Sequence, residues 1–326
     1  MSSFSIIDVF SHTAYKGNPL AVVPNTLDTL STTQMRLIAR QFNLSETTFI
    51  CPATTPVATY RLRSFLPNGE EVFGAGHNAL GAWWYIIYTG LVGISDAETP
   101  TPTPVTFHQQ LGVDVLPVEV SRSVEGMIEI AMRQGPPQFL DIHRDLSALA
   151  AAVGLAPSDI GFEVHGVLVS ETKVVTTSPA RHLLIPVVCE EVLRRARFDN
   201  EAVAKELSKT DSQNSGVYLF APVGEADGGI PRFEARFFSP GMGCEDPATG
   251  SAAGPLVAYL WENGVVGSLG QDLVQVEVVQ GLQRGRECVM KVGLLMKDGK
   301  PMGVMLRGKG TLVAEGRLVV PDGIDF

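Results

Sequence analysis

The residues of this chain best suited to chemistry stand in front of two apolar helices. Glu245-Asp246-Pro247-Ala248-Thr249-Gly250-Ser251-Ala252 brings two acids into a proline turn and then opens a run through Leu256, Val257 and Leu260. Pro67-Asn68-Gly69-Glu70-Glu71 leads in the same way to Gly74-Ala75-Gly76-His77, followed by Leu80, Trp83, Trp84 and Tyr85. An acid ahead of a helix start sets a proton-handling group beside unpaired backbone N–H groups and a partial positive charge, where an anion also binds. The spacing predicts helices over 77–89 and 251–263. Two such starts predict a duplicated fold with one active site between its halves.

The elements that must position these residues also repeat. Residues 4–10 and 19–23 read as strands separated by the turn Lys16-Gly17-Asn18-Pro19. Ser31-Thr32-Thr33-Gln34 has the form of a capping box and predicts a helix to about residue 42. Residues 46–51 and 58–65 read as strands, 99–104 as a stiff loop of alternating prolines, and 113–120 and 127–132 as strands. The second half follows the same order: 180–187 parallels 17–24, a helix at 200–207 parallels 32–42, 215–222 parallels 45–52, and Arg236-Phe237-Phe238-Ser239-Pro240 parallels Arg63-Ser64-Phe65-Leu66-Pro67. Closing strands are predicted at 274–279, 288–292, 304–306 and 311–313. The expected fold class is therefore α+β, one unit made twice, with halves at 1–120 and 121–326. The repeat breaks at Glu46, which faces Gly216 in the alignment. One unmatched carboxylate on a symmetric scaffold is what a one-base proton-transfer site would show.

Composition narrows the function. A chain of 326 residues with 45% hydrophobic content fits two ordinary domains with ample core. A net charge of −10 argues against an electrostatic nucleic-acid partner. The N-terminus lacks a basic stretch and meets Asp8 early, and the longest apolar run, 79–88, is about half the roughly 20 residues that span a bilayer. No membrane association is expected. Cys51, Cys189, Cys244 and Cys288 have neither disulfide-framework nor zinc spacing, which favours a reducing, cytoplasmic setting and no bound metal. Gly74-Ala75-Gly76 lacks the context of a dinucleotide fingerprint, so no cofactor is expected. His12, His108, His143, His165 and His182 show no ligand spacing and read as structural or exposed.

Together, Gly17-Asn18-Pro19, Asn43-Leu44-Ser45-Glu46-Thr47, Glu71-Val72-Phe73-Gly74-Ala75-Gly76-His77, the 245–252 run, and Gln280-Gly281 with Gly285-Arg286 resemble the PhzF-like (phenazine biosynthesis F) family over nearly the whole chain. The resemblance implies the diaminopimelate-epimerase-like fold: two pseudo-symmetric halves, each a barrel-like mixed sheet around a central helix, with the site in the cleft between them. It further implies a cofactor-independent isomerase, a homodimer, and a small carboxylate-bearing substrate, as for the family member that isomerises trans-2,3-dihydro-3-hydroxyanthranilate. Glu46 matches the family's catalytic carboxylate, and His77 and Asp246 its other catalytic positions. Asn18, Ser45, Gly76, Gly250 and Ser251 match substrate-binding positions. Related racemases use one cysteine per half; the corresponding residues here are Ala75 and Thr249, so a two-thiol mechanism is not expected.

Plainer readings stand beside these. Glu46 could be a solvated edge residue, His77 a packing residue, Asp246 a helix-dipole partner, and Gly250 and Ser251 no more than a helix cap. Elimination or cyclisation on the same scaffold, or a protein-binding role with little turnover, are the alternatives to isomerisation.

Overall fold

The computed structural model describes residues 2–74, 76–94, 103–212, 215–267 and 270–320. Ala75 and residues 99–102 of the proline-rich loop lie outside them. The chain divides into two compact units, Met1–Met132 with Arg307–Phe326, and Arg133–Leu306. This differs from the expected 120/121 boundary for two reasons of strand pairing. Asp114–Arg122 pairs with the start of Ile128–Gln134, which carries the first unit on to residue 132. Gly310–Leu318 returns to pair antiparallel along Ser2–Val9.

In the first unit, Ser2–Val9 runs antiparallel to Asn18–Pro24, and Asn18–Pro24 parallel to Thr47–Pro52. Tyr60–Phe65 then pairs antiparallel with Thr47–Pro52 and parallel with Val105–Leu111, which is antiparallel to Asp114–Arg122. The helix His77–Tyr88 is buried from His77 to Ile87. A helix apolar on all faces must be enclosed, and this one is the unit's core.

The second unit repeats that order of strand senses. Lys173–Thr176 is antiparallel to His182–Pro186, which is parallel to Val217–Ala226. Ile230–Ser239 pairs antiparallel with Val217–Ala226 and parallel with Leu273–Gln280, and Leu273–Gln280 antiparallel with Cys288–Lys297. Its helix, Gly250–Glu262, is buried at Gly250 and from Ala252 to Leu260. Each unit is thus a barrel-like mixed sheet around a central helix, the α+β fold expected.

The ladders also give the repeat its register. Thr47 faces Phe65 in the first unit and Val217 faces Phe238 in the second, so Gly216 does occupy the place of Glu46. Ala21 faces Thr47 and Leu183 faces Val217, which sets His182 at the place of Leu20. The sequence alignment of 17–24 with 180–187 is one residue out here, and in a strand one residue changes the face that a side chain presents.

A second shared device holds the approach to each helix. The short strand Glu71–Val72 pairs with Ser64 and Phe65, and Arg63 grips Glu71 through two bonds, Nε to Oε1 and Nη2 to Oε2, both 2.7 Å. Cys244–Asp246 pairs with Phe237, Phe238 and Ser239, and Arg236 grips Glu245 in the same way at 2.8 and 2.9 Å. Bidentate forks of this kind fix orientation as well as distance. In each pair of acids ahead of a helix, one is therefore a structural anchor.

Candidate active site

In the first unit, Glu46 directly precedes the strand Thr47–Pro52, and His77 is the first residue of the central helix. Glu46 Oε2 lies 3.4 Å from His77 Nε2, with the side chains 20% and 8% exposed. No hydrogen bond reaches Glu46 Oε2 among the described residues. Burial without such support disfavours the carboxylate, and the Glu46 pKa rises from 4.5 to about 7. A carboxyl poised there exists in both protonation states at neutral pH and can take up or deliver a proton.

The helix start beside it is held by Asn78. Its Oδ1 accepts from the Gly76 amide at 2.9 Å, while its Nδ2 donates to the Gly74 carbonyl at 3.1 Å and to Ser64 Oγ at 3.0 Å. Ser64 Oγ in turn lies 2.9 Å from Thr48 Oγ1. This network ties the loop that carries Gly76 to the strand that follows Glu46. Gly76 is the helix cap and offers no side chain to the first-turn amides. Ser45 is partly buried beside Glu46 in sequence, and Asn18 is wholly buried at the start of its strand.

In the second unit, Asp246 ends the short strand that the Arg236–Glu245 fork anchors, and it is 8% exposed. Thr249 Oγ1 donates to Asp246 Oδ2 at 2.6 Å instead of capping its own helix. The fully buried Gln280 completes the turn. Its Nε2 donates to the Asp246 carbonyl at 2.8 Å and to Thr249 Oγ1 at 3.1 Å, and its Oε1 accepts from the Thr249 amide at 3.2 Å and from Tyr218 Oη at 3.1 Å. Burial pushes the Tyr218 phenol well above its usual range, so it stays a donor. Gly281 follows with φ +88°, and a Cβ there would meet the Arg286 and Pro247 carbonyls at 2.4 and 2.7 Å. The chain thus closes directly on the Asp246-Pro247 turn.

Ser251, the second residue of the helix, has its Oγ 2.9 Å from Nε2 of His182. His182 is 3% exposed, and burial lowers its pKa to about 4, so the ring is neutral.

The sequence-read residues therefore collect in two groups. Glu46 and His77 meet in the first unit. Asp246, Gly250 and Ser251 gather at the helix start of the second. Two participants escaped the sequence reading. His182 stands among the histidines without pairwise spacing, and its match to Leu20 emerges only from the strand register. Gln280 stands within a Gln-Gly pair, but the four hydrogen bonds it makes are to residues 31 to 62 positions away. Among the described residues, no three His, Cys, Asp or Glu side chains cluster as a metal site, and no helix is long and apolar enough to cross a membrane.

The two sheet-and-helix units have the diaminopimelate-epimerase-like architecture, found also in solved racemase and epimerase structures. Within that class the chain belongs to the phenazine biosynthesis-like protein family (PhzC-PhzF), whose sequence model matches residues 7–316. An uncharacterized isomerase of Mesorhizobium japonicum is 32% identical over 98% of this chain and 99% of its own length. The trans-2,3-dihydro-3-hydroxyanthranilate isomerase of Pseudomonas chlororaphis is 29% identical over 98% of this chain and 100% of its own. The crystal structure of a PhzF-family phenazine biosynthesis protein from Bacillus anthracis superposes with a TM-score of 0.81 at 22% identity, covering 98% and 99% of the two chains, and bears on the fold. With relatives named as isomerases over 97–98% of its length, the chain is an isomerase.

Proposed function

We propose that this isomerase moves a proton on a small carboxylate-bearing ring or allylic substrate, with Glu46 as the acid/base and no cofactor. The observation that carries this reading is the Glu46 carboxyl, buried 3.4 Å from His77 with its pKa raised to about 7. Glu46 takes the proton from an acidified C–H and returns it at another carbon. His77, within reach of the same carboxyl, polarises a polar group of the substrate. In the second unit, Asp246 orients a substrate polar group, and the first turn at Gly250 and Ser251 binds its carboxylate and stabilises developing negative charge. Asn18, Ser45 and Gly76 line the substrate's surroundings.

The name of the Pseudomonas chlororaphis relative, trans-2,3-dihydro-3-hydroxyanthranilate isomerase, supports a cyclic amino-carboxylate as the substrate class, and a place in secondary metabolism is part of the same proposal. The test is to incubate the purified protein, treated with a chelator and given no cofactor, with trans-2,3-dihydro-3-hydroxyanthranilate and follow the ring protons by NMR. Migration of the double bonds supports the reading. Turnover that requires an added metal or organic cofactor would sink it. The protein is further proposed to work as a homodimer, which light scattering would refute by giving the mass of one chain.

A further inference from the structure

The contact between His182 and Ser251 fixes the direction of a proton as well as a distance. The His182 ring is buried, sits edge-on to Phe237 with centroids 4.9 Å apart, and has its Nδ1 enclosed without a hydrogen-bond partner among the described residues. A neutral imidazole carries one N–H, and the partner of each nitrogen decides which one holds it. A proton on Nδ1 would strand a buried donor, which is costly and rarer in folded proteins than a stranded lone pair. A proton on Nε2 is satisfied by Ser251 Oγ, 2.9 Å away. A hydroxyl has one donor and two acceptor sites, so an Oγ that accepts from His182 keeps its own proton to give. Ser251 is partly exposed where His182 is not, which leaves that proton an outward path. In the first unit the place of His182 is taken by the buried Leu20, so the device belongs to one half of the repeat.

We propose that His182 is a positioning residue: it donates Nε2–H to Ser251 Oγ and so commits the Ser251 hydroxyl to donate to a carboxylate group of the ligand. This rests on the reading of Ser251 as a ligand-binding residue. His182→Phe keeps the packing against Phe237 and removes the donor, whereas His182→Gln places an amide N–H at a similar reach.

The first test needs no ligand. Nitrogen-15 spectra of the full-length protein should show His182 protonated at Nε2, and protonation at Nδ1 overturns the proposal. The second titrates anthranilate, a simple ring carboxylate, by calorimetry. Ser251→Ala and His182→Phe should each weaken binding by about tenfold, the scale of one hydrogen bond to a charged group. The double variant should bind no more weakly than Ser251→Ala, and His182→Gln should recover most of the loss. Independent, multiplying losses in the double variant, or full affinity in His182→Phe, would refute the positioning role. Unchanged affinity in Ser251→Ala together with Nε2 protonation would instead locate the failure in the ligand-binding reading of Ser251, and the proposal would fall with it.

Discussion

Gly216 and Phe237 exclude a side chain at the place that Glu46 holds in the other unit. A Cβ on Gly216 would come within 2.5 Å of the Phe237 ring and 2.7 Å of the Phe238 carbonyl. The same ring packs against His182. The repeat is therefore broken by packing as well as by sequence: where the first unit presents a carboxyl, the second has an aromatic ring and a buried imidazole. Val72 and Asp246 differ likewise, since the first faces Ser64 and the second Phe237 in matching short strands.

Gly216→Ala should accordingly destabilise the protein. Residue 216 has φ +141°, a conformation L side chains rarely adopt, and its added methyl would have to displace backbone as well as a ring. Overpacking of this kind costs about 1–3 kcal/mol. Denaturant melts should show a lower midpoint with an unchanged slope. A melt identical to that of the unsubstituted protein would remove the packing explanation for the asymmetry.

Gln280→Leu tests the clamp under the Asp246 turn. The substitution leaves the Thr249 amide and the Tyr218 hydroxyl buried without their acceptor, and each such loss costs about 1–3 kcal/mol. Stability should fall by more than in Tyr218→Phe, which removes one donor and leaves Gln280 its other partners. Equal effects in the two variants would mean that Gln280 does not organise the turn.

Much of this architecture was legible in residue order. The Ser31–Gln34 capping box forms as written, with Gln34 N to Ser31 Oγ at 3.2 Å and Ser31 N to Gln34 Oε1 at 2.8 Å, because a cap is a local interaction. The central helices were legible because an unbroken apolar run with a Gly at its start has few alternatives. The strand Val105–Leu111 went unread because its interior positions carry Gln109 and Gln110, both buried. Gln109 accepts from Trp83 Nε1 at 3.0 Å, a tertiary contact that overrides polarity. Glu71 and Glu245 share with Asp246 a place ahead of a helix, and nothing local tells the anchors from a proton-handling acid. Their arginine partners lie on a neighbouring strand. The one-residue shift at 180–187 has the same origin, since hydrogen-bond register is set between strands.

The raised pKa of Glu46 predicts a stability that depends on pH. A carboxyl with a pKa of about 7 when folded, against 4.5 as the ordinary value, holds its proton more tightly in the folded state. Its contribution is fully present below about pH 4.5 and is lost as pH rises through about 7. The unfavourable charge is absent in Glu46→Gln, which should be the more stable protein at pH 8, by up to about 3 kcal/mol. The advantage should shrink toward pH 4. Urea melts of both proteins at the two pH values decide it, and a pH-independent difference would mean that Glu46 is not titrating in this window.

Glu46→Gln should also separate catalysis from binding. The amide keeps the size of the carboxyl but cannot accept a proton, so turnover should drop by the roughly 10²–10⁴-fold typical of losing a general base, with KM little changed. Because the base must be ionised, kcat/KM of the unsubstituted enzyme should fall as pH drops below about 7, and that limb should be missing from whatever activity the variant retains. Asp246→Asn and His77→Gln should cost less in kcat or shift KM as well, since they orient and polarise. In deuterium oxide, one carboxyl that removes and returns the same proton should leave part of the original hydrogen in the product, to the extent that the 20% exposure of Glu46 limits exchange with solvent. Full activity in Glu46→Gln would take the proton shuttle away from this residue and leave Asp246, whose carboxyl is held by Thr249, as the acid to test next.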